Sequence, residues 1–286
     1  MSGDTLAPLE TLYSGAENAA NPLPPELATL YGRLELPSRA ERPAVIGNFV
    51  SSLDGVVALN TPGVLTGGGE ISGFNAHDRM VMGILRAIAG AVVVGAGTLR
   101  SVPRHLWLPD SIYPPLTHAY GRLRASLGLS EPPLTVIVSA RGDLDLSLPV
   151  FTTASAPALI VTTDAGAERL AARPLPPSTR LWAVAGERAV SAAAILEAIS
   201  RERDCAIILT EGGPTLMGDF IAGGLLDELF LTLSPQVAGR VATNPRPGFV
   251  AGVLFAPDRP IWGTLVDVRR SASHLFLRYR FAAASN

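Results

Sequence analysis

Three short segments of the chain carry residue types that do chemistry where strands end. In Thr210-Glu-Gly-Gly-Pro-Thr-Leu216 an apolar run gives way to two glycines and a proline. Proline suits the first position of a helix, so Gly213 becomes the residue before it and offers no side chain to the first free N–H groups. Such a helix start is an anion site oriented for a pyrophosphate. Gly212, Gly213, Pro214, Thr215 and Leu216 are therefore candidate cofactor contacts. Glu211 stands at the end of the strand, where ligand-facing side chains of open α/β sheets collect. A carboxylate beside an anion site would repel phosphate, so Glu211 is expected to face another part of the pocket. A tight strand–helix connection would use the same glycines, and that reading stays open.

The second segment, Gly95-Ala-Gly-Thr-Leu-Arg100, follows the buried run Ala91–Val94. Gly95 and Gly97 let backbone approach a ligand closely, Thr98 adds a hydroxyl, and Arg100 is a permanent cation suited to an adenosine 2′-phosphate. A structural turn explains the glycines equally well. The third glycine of the dinucleotide fingerprint is missing, as is an acidic residue some twenty positions later. In the third segment, Asn48…Ser51-Ser52-Leu53-Asp54-Gly55, the residues Asn48, Ser52 and Asp54 are candidates to line the pocket beside substrate or nicotinamide. Asp-Gly between apolar runs is also a hairpin-turn signal.

Composition removes other chemistries. All 23 basic residues are arginine, which excludes a lysine Schiff base, a lysine nucleophile and a Walker-type phosphate loop. One cysteine, Cys205, cannot form an internal disulfide or a Cys-rich zinc site, and its apolar flanks make it an inert core residue. The four histidines lack the i, i+4 spacing of a helical metal pair, so no metal is expected. A net charge of −2 without a basic stripe argues against nucleic acid. Apolar runs are too short to cross a bilayer, and the first residues lack a signal-peptide pattern, which together predict the cytoplasm.

The elements that position these segments follow from periodicity. Residues 1–43, with prolines at 22, 24, 25 and 37, read as an extended arm holding one short helix near Glu26–Leu34. From residue 44 strands and helices alternate. A strand begins at Val45, and a helix lies between Ile71 and Gly90 with Val81, Ile84, Leu85 and Ile88 on its apolar face. Arg79 and Arg86 lie seven residues apart on another face of that helix. Residues 101–130 read as a loop. Strands are expected at Leu134–Val138, Ala158–Thr162, Leu181–Val184 and Ala206–Thr210, with a helix capped by Ser191. A helix from Pro214 ends at Gly223-Gly224. Four further strands, Glu228–Leu233, Gly252–Phe255, Thr264–Ser271 and His274–Phe281, close the chain. This order predicts an α/β fold with a mostly parallel central sheet and antiparallel C-terminal edge strands.

Taken together, four motifs resemble one family in its own order. They are Asn48-Phe-Val-Ser-Ser-Leu-Asp-Gly55, Leu85-Arg86 leading into Val92-Val-Val-Gly-Ala-Gly-Thr98, Leu209-Thr-Glu-Gly-Gly-Pro-Thr-Leu216, and Gly224-Leu-Leu-Asp-Glu-Leu229 with Leu233-Ser-Pro-Gln-Val-Ala-Gly239. The chain is similar to the reductase domain of the riboflavin-biosynthesis deaminase-reductases, across roughly residues 43–282. The resemblance implies a dihydrofolate-reductase-like three-layer fold over residues 44–286, a homodimer, and NADPH as hydride donor. It implies that Thr98 and Gly213–Leu216 bind the cofactor and that Arg86 and Glu211 face substrate. The expected reaction reduces the ribosyl group of a 5-amino-6-(ribosylamino)uracil phosphate to ribityl, with Asp54 or Glu211 as acid. The segment Leu99-Arg-Ser-Val-Pro-Arg-His-Leu-Trp107 departs from the family's Asp-Asp-Pro pattern, which motivates reduction of another heterocycle such as dihydrofolate as the nearest alternative. A non-catalytic NADPH-binding protein is a second alternative, and a true Rossmann dehydrogenase, weakened by the missing glycine and ribose acid, a third. The zinc-deaminase motifs are absent from the sequence.

Overall fold

A computed structural model describes residues 6–15, 20–59, 67–186 and 189–282. Its strands are β1 (Glu10–Ser14), β2 (Ala44–Ser51), β3 (Ala91–Gly95), β4 (Leu134–Val138) and β5 (Ala158–Thr163), followed by β6 (Thr179–Val184), β7 (Ile207–Thr210), β8 (Glu228–Leu233), β9 (Gly263–Ser271) and β10 (His274–Phe281). Its helices are α1 (Pro25–Tyr31), α2 (Gly69–Ser72), α3 (Ala76–Ile88), α4 (Ala96–Ser101) and α5 (Pro109–Ile112), then α6 (Thr117–Ser126), α7 (Pro149–Thr152), α8 (Asp164–Ala171), α9 (Ala192–Glu202) and α10 (Pro214–Ala222).

All ten strands join one sheet in the order β1-β9-β10-β8-β2-β7-β3-β4-β5-β6. The run from β8 to β6 is parallel throughout, and β10, β9 and β1 add antiparallel strands at one edge. Parallel strands need both faces covered, and alternation within them supplies this. Ile46, Val92, Val94, Ile137 and Leu209 pack on one face with α1, α3 and α6. Val45, Val93, Val136 and Ile208 pack on the other with α9 and α10. The result is the expected three layers. Cys205 lies buried against Gly90, where a Cβ would meet its Sγ at 2.7 Å, and burial pushes its thiol up to about 11.

Local chemistry sets the helix ends nearest the cavity described below. The Asn75 side chain accepts from the N–H groups of His77 and Asp78 and so starts α3. The expected single helix from Ile71 is two, because Gly73 ends α2 in a left-handed conformation at φ 61°. At the far end of α10, Gly224 takes φ 63° while Leu225 N–H bonds Phe220 O, the double turn that Gly223-Gly224 predicts.

Elsewhere sequence and structure part. Residues 101–130 hold α5 and α6 rather than a bare loop. Helix α6 carries Gly121, lacks a capping side chain and has a weak apolar stripe, which hid it. Gly252–Phe255 forms no strand, and Leu254 stands in solvent. The arm supplies edge strand β1, which its exposed, aperiodic sequence conceals. Two buried arginines tie the arm down: Arg269 donates to Arg33 O and Arg278 to Glu35 O, each at 2.7 Å.

Candidate active site

Strands β2, β3, β4 and β7 run parallel, so their C-terminal ends open on one side of the sheet, where ligands of such folds bind. A cavity of about 780 Å³ lies there. Its floor includes Asn48 of β2, Gly95 at the end of β3, and Glu211 just past β7. Gly97 and Thr98 of α4 line one wall, and Gly212, Gly213, Pro214, Thr215 and Leu216 line the start of α10. The structure thus gathers eleven of the fourteen sequence-derived candidates, Arg86 included.

The α10 start is built to receive an anion. Gly213 holds the cap position in extended backbone at φ −70°, ψ 177°, with no side-chain cap, so the first N–H groups of the helix are free. A Cβ on Gly213 would stand 3.9 Å from Thr98 Oγ1, which places the two glycine segments face to face. A Cβ on Gly212 would meet Leu216 Cδ2 at 2.3 Å, so glycine is needed for the close approach. A cofactor pyrophosphate fits this cradle.

The other side of the cavity is made of side chains. Arg86, 1% exposed, engages Glu211 with both Nε (3.0 Å) and Nη2 (2.7 Å). Its Nη1 donates to the carbonyls of Leu106 and Leu108, at 3.4 Å each. Asp78 and Arg79 sit in the first turn of α3, and both line the cavity with Met82 and Arg86. Asp78 is 6% exposed, and burial raises its pKa above the ordinary carboxylate range against the opposing hydrogen bonds of Thr232 and Ser72. Arg79 has a buried Nε without a partner.

The model of one protein family, the RibD C-terminal domain, matches residues 43–251. The chain belongs to this family. A reductase of 2,5-diamino-6-ribosylamino-4(3H)-pyrimidinone 5′-phosphate from Archaeoglobus fulgidus is 28% identical over 201 residues, 69% of this chain and 83% of the relative. Among solved structures, a pyrimidine reductase-like protein from Corynebacterium diphtheriae superposes with a TM-score of 0.65 at 21% identity, over 90% of this chain and 98% of that one. A deaminase/5-amino-6-(5-phosphoribosylamino)uracil reductase from Thermotoga maritima gives 0.61 at 23% identity over 85% of this chain. This chain spans only 57% of the length of that Thermotoga protein. These likenesses establish the dihydrofolate-reductase-like fold.

Within this RibD-type site, three of the expected residues stand apart from the cavity lining. Asp54 anchors a turn: Ser52 Oγ donates to it at 2.6 Å, and the N–H groups of Ala238 and Gly239 at 3.0 and 2.8 Å. Those donors hold its carboxyl far below the usual range, which makes it a poor acid. Gly55, at φ +78°, completes the turn, so Ser52 and Asp54 follow the hairpin-like reading of that segment. Arg100 is exposed on α4. Glu211 lines the cavity, and both its oxygens accept from the Arg86 fork.

Asp78, Arg79 and His105 are among the lining residues that sequence reading missed. One signal for the first two was present. Arg79 and Arg86 are seven residues apart, nearly two turns, so they share a helix face. That polar stripe on an otherwise buried helix pointed to the cavity. For His105, in an aperiodic loop, no such signal exists.

Proposed function

We propose that this chain is an NADPH-dependent reductase of a 5-amino-6-(ribosylamino)uracil-type phosphate, converting the ribosyl to the ribityl chain. One observation carries this reading. A single cavity joins an uncapped helix start suited to a dinucleotide with a buried carboxyl and an unpaired guanidinium suited to a phosphorylated, proton-accepting substrate. The family membership and the named activity of the Archaeoglobus relative support it.

The nicotinamide, when bound, supplies the hydride that reduces C1′ of the opened ribosylamine imine. The chain's own residues do the rest. The α10 N–H groups, with Thr98, hold the cofactor's pyrophosphate. Arg79 takes the substrate's phosphate, because its guanidinium is the cation with a free, buried Nε on the cavity wall. Asp78 holds the proton that completes the reduction: C1′ gains the hydride, the attached nitrogen gains the proton, and the C=N bond becomes C–N. A carboxyl whose pKa burial raises holds its proton more readily than an ordinary one and so is suited to that transfer.

Titration with NADPH and NADH, followed by cofactor fluorescence, tests the first half, and addition of the aminopyrimidine ribosylamine phosphate tests the second. NADPH binding with substrate-dependent oxidation is the expected result. Binding without oxidation overturns the substrate assignment, and failure to bind either nucleotide overturns both assignments.

A further inference from the structure

The stretch between α4 and α5 places three side chains on the cavity: Val102, His105 and Trp107. It is held from behind. The two carbonyls that accept from Arg86 Nη1, those of Leu106 and Leu108, bracket Trp107, which is 2% exposed. His105 N–H closes a turn onto Val102 O at 3.0 Å. The imidazole meets the Trp107 indole edge-on, with centroids 5.1 Å apart and planes at 85°. Backbone and ring contact thus fix where the imidazole sits, yet among the described residues neither of its nitrogens has a hydrogen-bond partner. A half-buried polar ring without protein partners, fixed on a ligand cavity, is free to bond what enters that cavity.

We propose that His105 is a specificity-determining residue that hydrogen-bonds the heterocycle of the substrate, presented by Trp107 and the Arg86–Glu211 clamp. The inference rests on the reductase reading of the cavity. The chemistry of recognition follows from the ring's state. Burial, aided by the nearby Arg86 charge, holds its pKa down to about 3, so the imidazole is neutral and offers one donor and one acceptor. That pair matches the alternating N–H and C=O edge of an aminopyrimidine and is poorly matched to a phosphate, which Arg79 serves.

Two substitutions separate hydrogen bonding from packing. His105→Phe keeps a ring against Trp107 and removes both hydrogen-bonding nitrogens; His105→Gln keeps a donor and an acceptor without the ring. Steady-state kinetics with the aminopyrimidine ribosylamine phosphate, and NADPH titration, are run on both beside the wild type. H105F is expected to raise KM about tenfold, the worth of one neutral hydrogen bond, with kcat and NADPH affinity within about threefold. H105Q is expected to recover most of the lost KM. A wild-type KM in H105F overturns the assignment, because the ring contact alone then suffices. A wild-type protein inactive on this substrate removes the underlying reading instead, and that is seen before either variant is compared.

Discussion

The two halves of the cavity are made of different material. The half proposed for the cofactor is backbone: glycines at 95, 97, 212 and 213, and the free N–H groups of α10. The half proposed for substrate is side chain: Asp78 and the Arg86–Glu211 pair, withdrawn from solvent, with Arg79 and His105 half-buried beside them. A backbone site tolerates exchange of most neighbouring side chains but not the arrival of a new one at its glycines. A side-chain site behaves the opposite way, since each group is a separate chemical function with its own desolvation cost. The halves are therefore expected to fail independently, one in binding the nucleotide and the other in turnover.

The largest effect is expected in the side-chain half. Asp78→Asn keeps the shape and removes the acid, and turnover should fall about 100-fold with NADPH affinity unchanged. Wild-type kcat should decline as pH rises through the elevated pKa of Asp78, because the protonated form is the donor. Stability carries the same sign. A carboxyl whose folded pKa is raised binds more protons folded than unfolded, so its contribution is full below the ordinary carboxylate range and is lost as pH climbs through the raised value. D78N should flatten both slopes, measured by steady-state kinetics and thermal melts across pH. A D78N enzyme with wild-type turnover would move the proton source elsewhere.

The backbone half makes an unusual forecast. Gly213→Asp places a carboxylate at the cap of α10, where a Cβ has room, 3.9 Å from Thr98 Oγ1. Aspartate is a better cap than glycine by a few tenths of a kcal/mol, so the melting temperature should hold or rise slightly. The same charge occupies the pyrophosphate position, and the NADPH dissociation constant should rise about tenfold or more. Stability and binding then move in opposite directions, which a substitution that merely damaged the fold would not produce. A fall in both would mean that the glycine serves the connection alone.

This contrast also explains what was legible in the sequence. Backbone sites are written as glycine and proline at strand–helix junctions, and there local sequence decides local conformation. Hence the strand–helix junction at Gly212–Leu216 could be read directly, as could the parallel strands, whereas Gly95–Thr98 read as a turn and its helix α4 was not foreseen. The side-chain half depends on which residues tertiary packing brings together. Glu211 and Arg86 are 125 positions apart, and nothing local tells that they would satisfy each other. Asp54 misled for the converse reason: a carboxylate in a conspicuous motif was needed by its own turn, through Ser52, Ala238 and Gly239. The arm's strand β1 was invisible because its pairing partner lies more than 250 positions away.

The smallest effect is expected at Arg100, and it marks how far the cofactor half extends. On α4 the lining residues are Gly97, Thr98 and Ser101, with Val102 just beyond. At about 100° per residue, Arg100 is turned about 200° from Thr98 and so points away from the cavity. Its exposure agrees with that direction. Arg100→Ala should therefore change the ratio of NADPH to NADH affinity by less than about threefold, close to 0.6 kcal/mol and within the range of a screened surface charge. A tenfold loss confined to NADPH would show that a side chain on the outer face of α4 reaches the 2′-phosphate. The cofactor half would then share the dependence on individual charged groups that characterises the substrate half.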